Sequence, residues 1–258
     1  MILTAHQPVY LPWIGLFHKI ALADKFVFFN EVQYLPKDWM NRNKIKTVAG
    51  EIWLTVPVLR KGYREHKTSE IEINNSTNWQ KKHLKSILMN YKKAPYFDNY
   101  ASFFEDVYNK KWQNLSDLNE YMLRWFIEQL NIKVEFLMAS DFNFHGSKSD
   151  LVLDMCKQLG ADAYIFGALG RDYANADDFA KAGIKTKYVR PKNQETEGTV
   201  VAIVSGITRG ETCSRGNLNE LVKEIRQILG EKIEETHAVR SDLLIKEGLM
   251  ADVSTESE

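Results

Sequence analysis

The sequence lacks the features that would carry the chain into or across a membrane. No apolar run approaches the roughly 20 residues that a membrane-spanning helix needs. The first residues already contain His6, Gln7 and Pro8, and they have neither the charged nor the apolar segment of a secretory signal. The cysteines, Cys156 and Cys213, are too few for a disulfide framework. We therefore expect a cytoplasmic protein with reduced thiols and no membrane insertion.

An excess of charge of one sign is also missing. Lysine plus arginine number 34, as do aspartate plus glutamate, so the formal net charge is zero. A neutral chain has no overall field that would draw it to DNA, and any anionic ligand must be bound locally. The histidines lack the spacing of metal ligands, and His66 and His83 are expected on charged surfaces, so no protein-bound metal is predicted. A Gly-x-Ser-x-Gly nucleophile elbow is absent as well.

What the sequence does contain is an alternation of strand and helix patterns along its 258 residues. This alternation predicts an α/β fold, with a mostly parallel open sheet, flanking helices and a helical insertion. We divide the chain into an N-terminal βαβ part with ligand loops (1–75), a helical insertion or cap (76–130), and a second α/β part that completes the same sheet (131–258). The sequence does not indicate the oligomeric state.

Apolar periodicity gives the positions of the elements. Strands are predicted at Ile2–Ala5, Lys25–Phe29, Ile52–Val58, Ile71–Ile73, Val134–Met138, Ala163–Phe166, Ile184–Val189 and Thr199–Val204. Helices are predicted at Ile14–Ala23, Trp79–Tyr91, Tyr96–Asn109, Leu115–Leu130, Ser149–Leu159, Asp177–Ala182 and Leu218–Leu229. In the first helix Lys19 is expected to point outward. Trp53 is expected to be a packing residue.

The loop between the first strand and the first helix has chemistry suited to phosphate. His6 ends the strand, Gly15 lies near the helix start, and His18 follows three residues later. Helix N-termini bind anions through their free amides and their dipole. Paired histidines at such a turn resemble those with which adenylyl-transferring enzymes stabilise the α-phosphate. The alternative is that His18 is an ordinary helix residue bonded to a neighbouring carbonyl.

A second set of polar residues follows the next predicted strand. Its amides and cations suit a phosphorylated or sugar-bearing ligand, which arginine could bind in bidentate fashion. The alternative is a solvated basic loop. The candidate ligand-binding residues here are Asn30, Gln33, Asn41, Arg42, Asn43 and Lys46.

A third candidate loop follows the strand predicted at 163–166. It contains Gly167, Gly170, Arg171, Asp172 and Tyr173, which resemble a phosphate-binding turn, although glycine pairs are common in ordinary strand-helix turns. Because the carboxyl ends of parallel strands bind ligands in open α/β sheets, all three loops are expected at one edge of one sheet.

These motifs resemble the WbqC-like protein family. The resemblance rests on His6-Gln-Pro-Val-Tyr-Leu-Pro-Trp-Ile-Gly, Asn41-Arg-Asn-Lys and Gly167-Ala-Leu-Gly-Arg-Asp-Tyr, in that order. It extends to about Tyr188, beyond which the sequence departs from the family pattern. The resemblance adds motif positions to the candidate site: Gln7 and Tyr10.

The resemblance implies a role in bacterial O-antigen or surface-polysaccharide biosynthesis, where an amino-acid or acyl group such as glycine is transferred onto an amino sugar. Combined with the site chemistry, it suggests ATP-dependent adenylation of a small carboxylate followed by amide formation. In that route His6 and His18 would stabilise the α-phosphate, and Arg42 or Arg171 would bind anionic groups. Asp172 would accept the amine's proton or bind a ribose hydroxyl, and ATP with Mg²⁺ would be required.

Two alternatives remain open at the level of sequence. One keeps the site but takes an activated donor, an acyl thioester or a charged tRNA, without using ATP. The other is a non-catalytic protein of the same pathway that binds a nucleotide sugar. The divergent segment after residue 188 leaves the acceptor open in each case.

Overall fold

The computed structural model of the protein describes residues 1–59, 62, 65–94 and 97–188. The strands are β1 (Ile2–His6), β2 (Lys25–Phe28), β3 (Arg42–Thr47), β4 (Gly50–Thr55), β5 (Glu135–Met138), β6 (Ala163–Phe166) and β7 (Lys185–Tyr188). The α-helices are α1 (Ile14–Ala21), α2 (Trp79–Tyr91), α3 (Asp98–Asn109), α4 (Leu115–Gln129), α5 (Lys148–Leu159) and α6 (Ala176–Lys181). Short 3-10 turns occupy Thr68–Glu70, Ala139–Asp141 and Ala168–Asp172. The strand predicted at 199–204 and the helix predicted at 218–229 lie outside the described residues.

The main sheet is wholly parallel, with strand order β5-β2-β1-β6-β7. Its central strand β1 is buried on both faces, which explains the nearly continuous apolar run at the start of the chain. The hydroxyl of Thr4, which has no exposed surface, donates to the carbonyl of Ile165 at 2.8 Å and so ties β1 to β6. The predicted α/β class, with a mostly parallel sheet and flanking helices, is confirmed.

A separate hydrophobic core covers each face of the sheet. Phe26 and Phe28 of β2 enter the core formed with α1 and α2–α4, whereas Val27 between them enters the core formed with α5 and α6. This division follows from the alternation of side chains along a strand. The helices between residues 76 and 130 therefore pack over one face of the sheet. No helix in the described part of the chain is long and apolar enough to span a membrane.

The hairpin β3-β4 forms a second, antiparallel sheet and corrects two expectations. The polar segment from Asn41 to Lys46, predicted to be a loop, is mostly strand β3, and the strand predicted at 52–58 ends earlier, at Thr55. The strand is hard to see in the sequence because amides occupy its inward positions: Asn41 and Asn43 are buried together with Ile45, whereas Lys46 is exposed. The alternation is therefore regular in burial but not in hydrophobicity.

The strand predicted at 71–73 is also not formed. Glu72 and Ile73 make isolated bridges to Asn114 and Val58, respectively, instead of joining a ladder. Ile73 still donates its amide hydrogen to the carbonyl of Gln113 at 2.8 Å. The alternating pattern thus indicated extended, half-buried backbone but not pairing with a neighbouring strand.

Candidate functional site

The strand order places a topological switch point between β1 and β6. The chain proceeds from β1 to β2 and β5 on one side, and then crosses to β6 and β7 on the other. Open α/β sheets bind ligands in the crevice at the carboxyl ends of the strands that flank such a point. Here those ends are His6 of β1 and Phe166 of β6, followed by Gly167. Two of the three predicted loops therefore lie at this switch point, where the rule for open α/β sheets predicts a ligand crevice.

Lys19 of α1 points into this crevice, and the expectation that it would point outward is wrong. Its side chain is only 5% exposed, and its ammonium donates to the carbonyl of Ala5 at 2.8 Å. A Cβ added to Gly167 would lie 3.9 Å from the Lys19 Nζ, so the ammonium lies between the ends of β1 and β6. Helical side chains point back toward the helix start, which lets Lys19 reach the strand ends from the last turn of α1. Burial lowers the pKa of the Lys19 ammonium from 10.5 to about 7.

His6 lies at the end of β1 as a neutral imidazole. Burial, and then the nearby Lys19, lower the pKa of His6 from 6.5 to about 3. The His6 Nδ1 lies 2.8 Å from the carbonyl oxygen of Gln7. Because a carbonyl oxygen only accepts, Nδ1 carries the proton and Nε2 keeps its lone pair. His6 is therefore arranged as a neutral hydrogen-bond acceptor and not as a cation for phosphate.

The two predicted histidines lie on different elements: His6 ends β1, whereas His18 belongs to the last turn of α1. Gly15 lies in the first turn of α1, but His18 lies in its last turn, half-buried, where burial lowers its pKa. Because α1 has only eight residues, its fifth residue, His18, already belongs to the last turn. The cation of the crevice is therefore Lys19, a residue that the motif analysis did not select.

The loop after β6 combines one packing residue with several exposed polar ones. A Cβ on Gly170 would lie 2.5 Å from the Cβ of Phe166, so only glycine can be accommodated there. Arg171 and Asp172 are exposed on the same 3-10 turn, and the Arg171 guanidinium lies 6.0 Å from the ring of Tyr188. Tyr173 is 41% exposed, and burial raises the pKa of its hydroxyl. The polar residues of this loop are thus available to a ligand, whereas Gly170 shapes the turn.

Asn30 and Gln33 follow β2 at the same edge of the sheet. Asn30 is 5% exposed; its amide nitrogen lies 3.5 Å from the Ser140 hydroxyl, and its Oδ1 accepts no hydrogen bond from the described residues. Gln33 is exposed and pairs with Lys67 in an isolated bridge. Asn30 is therefore a buried acceptor that a donor on a ligand could satisfy.

Asn41 and Asn43 act on the backbone around the site. Asn41 donates to the carbonyl of Val56 at 2.8 Å. The Asn43 side chain, 1% exposed, donates to the carbonyls of Tyr10 at 3.2 Å and of Leu11 at 2.6 Å. Leu11 has φ of 49°, a left-handed conformation that is unfavourable for leucine. Asn43 thereby fixes the loop between His6 and α1 onto the hairpin.

Tyr10 and His83 belong to a buried polar cluster. The hydroxyl of Tyr10, which has no exposed surface, bonds to the His83 Nδ1 at 2.8 Å and to the hydroxyl of Tyr108. His83 is 5% exposed, so its expected surface position is wrong; the apolar residues of α2 turn it inward. Burial lowers the pKa of His83 to about 4. His66, by contrast, lies at the surface, 3.4 Å from Glu70.

Arg42 and Lys46 lie on the solvent-facing side of the hairpin. The Arg42 guanidinium stacks over Trp53 at 4.3 Å from the ring centroid and also donates to the carbonyl of Lys37. Lys46 is exposed, and its carbonyl accepts a hydrogen bond from Tyr91 at 2.7 Å. Trp53 is 43% exposed, so its assignment as a packing residue is wrong.

Three tryptophans connect this hairpin to His6. The centroid of Trp13 lies 5.4 Å from that of His6, Trp39 lies 6.2 Å from Trp13, and Trp53 lies 5.4 Å from Trp39. We call Trp13, Trp39 and Trp53 the tryptophan row. Sequence reasoning missed it because its members come from three separate segments. No group of three or more metal-ligating side chains occurs among the residues that the structure describes.

Comparison with known proteins places this site in a family. The WbqC-like protein family matches residues 7–199. The chain belongs to that family. The match covers the loop after β1, the hairpin and the loop after β6, so most of the candidate site lies within the region that defines the family.

The relatives of this WbqC-like chain include an uncharacterized bacterial protein and proteins of methyl-coenzyme M reductase operons. It is 33% identical over 183 residues to the uncharacterized protein Rv1507c of Mycobacterium tuberculosis, covering 70% of this chain and 79% of that protein. It is 48% identical over 54 residues to methyl-coenzyme M reductase I operon protein C of Methanothermobacter marburgensis, and 44% identical over 78 residues to the corresponding operon protein of Methanosarcina barkeri. These two matches cover 21% and 30% of this chain and only 27% and 36% of the relatives. No solved structure matches the chain significantly.

Proposed function

We propose that this protein transfers an amino-acid or acyl group, such as glycyl, onto an amino sugar or nucleotide-sugar precursor of a bacterial surface polysaccharide. The proposal rests on one arrangement: the Lys19 ammonium lies between the ends of β1 and β6, with the neutral His6 beside it. In an acyl transfer to an amine, such a cation stabilises the developing negative charge and a neutral hydrogen-bond acceptor orients the attacking amine.

In the ATP-dependent form, a carboxylate oxygen of the donor attacks the α-phosphorus of ATP and pyrophosphate leaves. The amine of the sugar then attacks the carbonyl carbon of the acyl adenylate, so that a C–N bond forms and the C–O bond to AMP breaks. The His6 Nε2 accepts a hydrogen bond from the attacking amine and orients it, and the proton that the amine loses leaves with the AMP phosphate. This assignment replaces the role of phosphate ligand that the sequence suggested for His6. ATP is then a substrate, and Mg²⁺ is expected with its phosphates.

Lys19 supplies the positive charge for both steps. The pKa of about 7 leaves it partly neutral in the free protein, and an anion bound in the crevice favours its charged form. A buried cation acts through a low local dielectric, where it stabilises developing negative charge more strongly than it would in water. The anionic carbonyl oxygen or phosphate oxygen of the substrate is therefore expected at the Lys19 Nζ.

Three further residues are available to orient substrates. The free acceptor Oδ1 of Asn30 suits an amine or hydroxyl donor. Arg171 and Asp172, exposed on the turn after β6, suit an anionic group and a sugar hydroxyl, respectively. Arg42 contacts the crevice only through the tryptophan row, so it is better placed for a remote part of the ligand than for the reacting atoms.

The test is ATP–pyrophosphate exchange with a panel of small carboxylates that includes glycine. The wild type is expected to catalyse exchange with at least one of them. Lys19→Met is expected to lower the rate by about 100-fold or more, as does removal of a group that stabilises an oxyanion. Lys82→Met, which removes an exposed lysine of α2, is the matched control. A Lys19→Met variant that exchanges at the wild-type rate would contradict the adenylation route, whereas His6→Ala should keep the exchange and slow amide formation, because His6 acts only in the second step.

The two alternative functions are distinguished by measuring pyrophosphate release, amide formation and ligand binding side by side. Amide formation from an acyl thioester or a charged tRNA without pyrophosphate release would keep the transferase and discard adenylation. Saturable binding of a nucleotide sugar without turnover of any donor would instead indicate the non-catalytic alternative.

A further inference from the structure

The tryptophan row extends the site away from His6 along the hairpin. Trp13 and Trp39 are half-buried and Trp53 is 43% exposed, so aromatic surface becomes more accessible with distance from the crevice. Successive rings are tilted by 56° and 36°, and each is close enough to contact the next. Trp53 is the most exposed member of the row, and an exposed indole that continues a candidate site is a feature of ligand-binding surfaces.

Polar groups of both signs border the row. Opposite residues of an antiparallel pair lie on the same face of the sheet, so Lys44 and Glu51 share the face of Trp53, and their charged groups lie 2.8 Å apart. At the other end, the Gln7 amide donates to the Asp38 carboxylate at 3.0 Å, and the same carboxylate accepts the backbone amide hydrogen of Trp39 at 2.7 Å. Amides, cations and carboxylates together provide both donors and acceptors around an apolar floor.

The charged and polar groups around the row discriminate between two classes of ligand that stack on indoles, nucleotides and sugars. A nucleotide brings phosphates, but the cations at the row are already engaged: Lys44 pairs with Glu51, and Arg42 stacks on Trp53 and donates to the Lys37 carbonyl. The Asp38 carboxylate would also repel a phosphate. A pyranose has an apolar C–H face and a rim of uncharged hydroxyls, each of which both donates and accepts hydrogen bonds. The border of the row therefore favours a sugar over a nucleobase.

We infer that the tryptophan row binds the sugar rings of an oligosaccharide acceptor whose reacting unit lies at His6 and Lys19. Each of the three indoles then takes one ring, with the sugar at Trp53 contacting the part of the indole that Arg42 leaves exposed, and the acceptor is a short glycan rather than a single sugar. The inference rests on the proposed function only in taking the acceptor to be a sugar.

The test is calorimetric titration of the full chain with chito-oligosaccharides of one to four N-acetylglucosamine units, with ADP as the competing class of ligand. Affinity is expected to rise with each ring up to three and then to level off. Trp53→Ala is expected to weaken binding of the trimer by roughly three- to tenfold, in line with one lost aromatic contact, and that of the single sugar by less than about twofold. Trp53→Phe should recover most of the loss. Met89→Ala, which removes an apolar side chain that is 68% exposed on α2, should change nothing.

Two results would overturn the inference: affinity that does not depend on the number of rings, or binding of ADP, not of sugars, that is lost in Trp53→Ala. If Trp53→Ala fails to fold, the change in wild-type tryptophan fluorescence on adding the trimer decides, and its absence overturns the inference. The outcomes remain separate from those of the proposed function. Oligosaccharide binding without transfer would contradict only the reaction, and transfer to single sugars without oligosaccharide binding would contradict only the inference.

Discussion

Replacement of Lys19 by methionine is expected to stabilise the protein while it abolishes activity. The Lys19 ammonium is 5% exposed and its pKa falls from 10.5 to about 7 on burial. Between these two pKa values the folded state therefore binds fewer protons than the unfolded state. Lys19 consequently lowers the free energy of unfolding most below pH 7, and this loss of stability decreases as the pH rises toward 10.5. At 1.36 kcal/mol per pKa unit, the full penalty is on the order of 4–5 kcal/mol. Methionine has a similar length and carries no charge to bury.

The assay is urea unfolding of the wild type and of Lys19→Met at pH 6 and pH 9. The variant's advantage should be about 2–3 kcal/mol larger at pH 6 than at pH 9, because the lysine penalty has partly disappeared at the higher pH. Taking the difference between two proteins cancels the titration of groups that they share. His6 is the exception, since Lys19 lowers its pKa, but its titration lies near pH 3 and outside the range measured. An advantage that is independent of pH, or a variant less stable than the wild type at pH 6, would refute the reasoning.

Other substitutions test the geometry around the crevice. Gly170→Ala is expected to destabilise the protein by about 1–3 kcal/mol through its clash with Phe166, whereas Gly167→Ala should change stability by less than about 0.5 kcal/mol. Thermal unfolding of the pair compares them, and equal effects would show that the loop adjusts freely. Asn43→Ala leaves two backbone carbonyls without their donor and is expected to destabilise the protein by about 2–4 kcal/mol. Because it also releases the left-handed Leu11, proteolysis should cut this loop faster in the variant, and unchanged cleavage would speak against its role.

Much of the fold could be predicted because burial and hydrophobicity agree in most of its elements. The apolar runs at β1, β2 and β6 are those of strands covered on both faces, and the repeats in α2 and α4 place their bounds within about two residues. Strand β3 of the hairpin could not be predicted from hydrophobicity, because two of the buried positions in and just before it are Asn41 and Asn43. Their side-chain amides donate to backbone carbonyls instead of packing among apolar side chains. A hydrophobicity pattern does not identify a buried position when the residue there is polar and hydrogen-bonded.

The site could be predicted in part. His6 and Gly167 follow directly from the rule that ligands bind at strand ends, and both flank the crevice. Lys19 could not be predicted, since a lysine at a helical position is usually exposed and only the packing of α1 against the strand ends shows otherwise. The tryptophan row is likewise a product of tertiary structure, because no spacing along the chain relates Trp13, Trp39 and Trp53.

The hairpin has a consequence for where the chain can change in length. The segment between His6 and α1 is attached at several points: Tyr10 donates its amide hydrogen to the carbonyl of Trp39 at 3.0 Å, and Asn43 binds the next two carbonyls. An insertion there would have to break these bonds and displace the end of β1. The tip of the same hairpin is bonded within its own turn, where Thr47 bonds to Ala49 and Gly50, and Val48 there is fully exposed. Insertions and fused segments should therefore be tolerated at the tip of the hairpin and rejected in the segment between His6 and α1 that the hairpin secures.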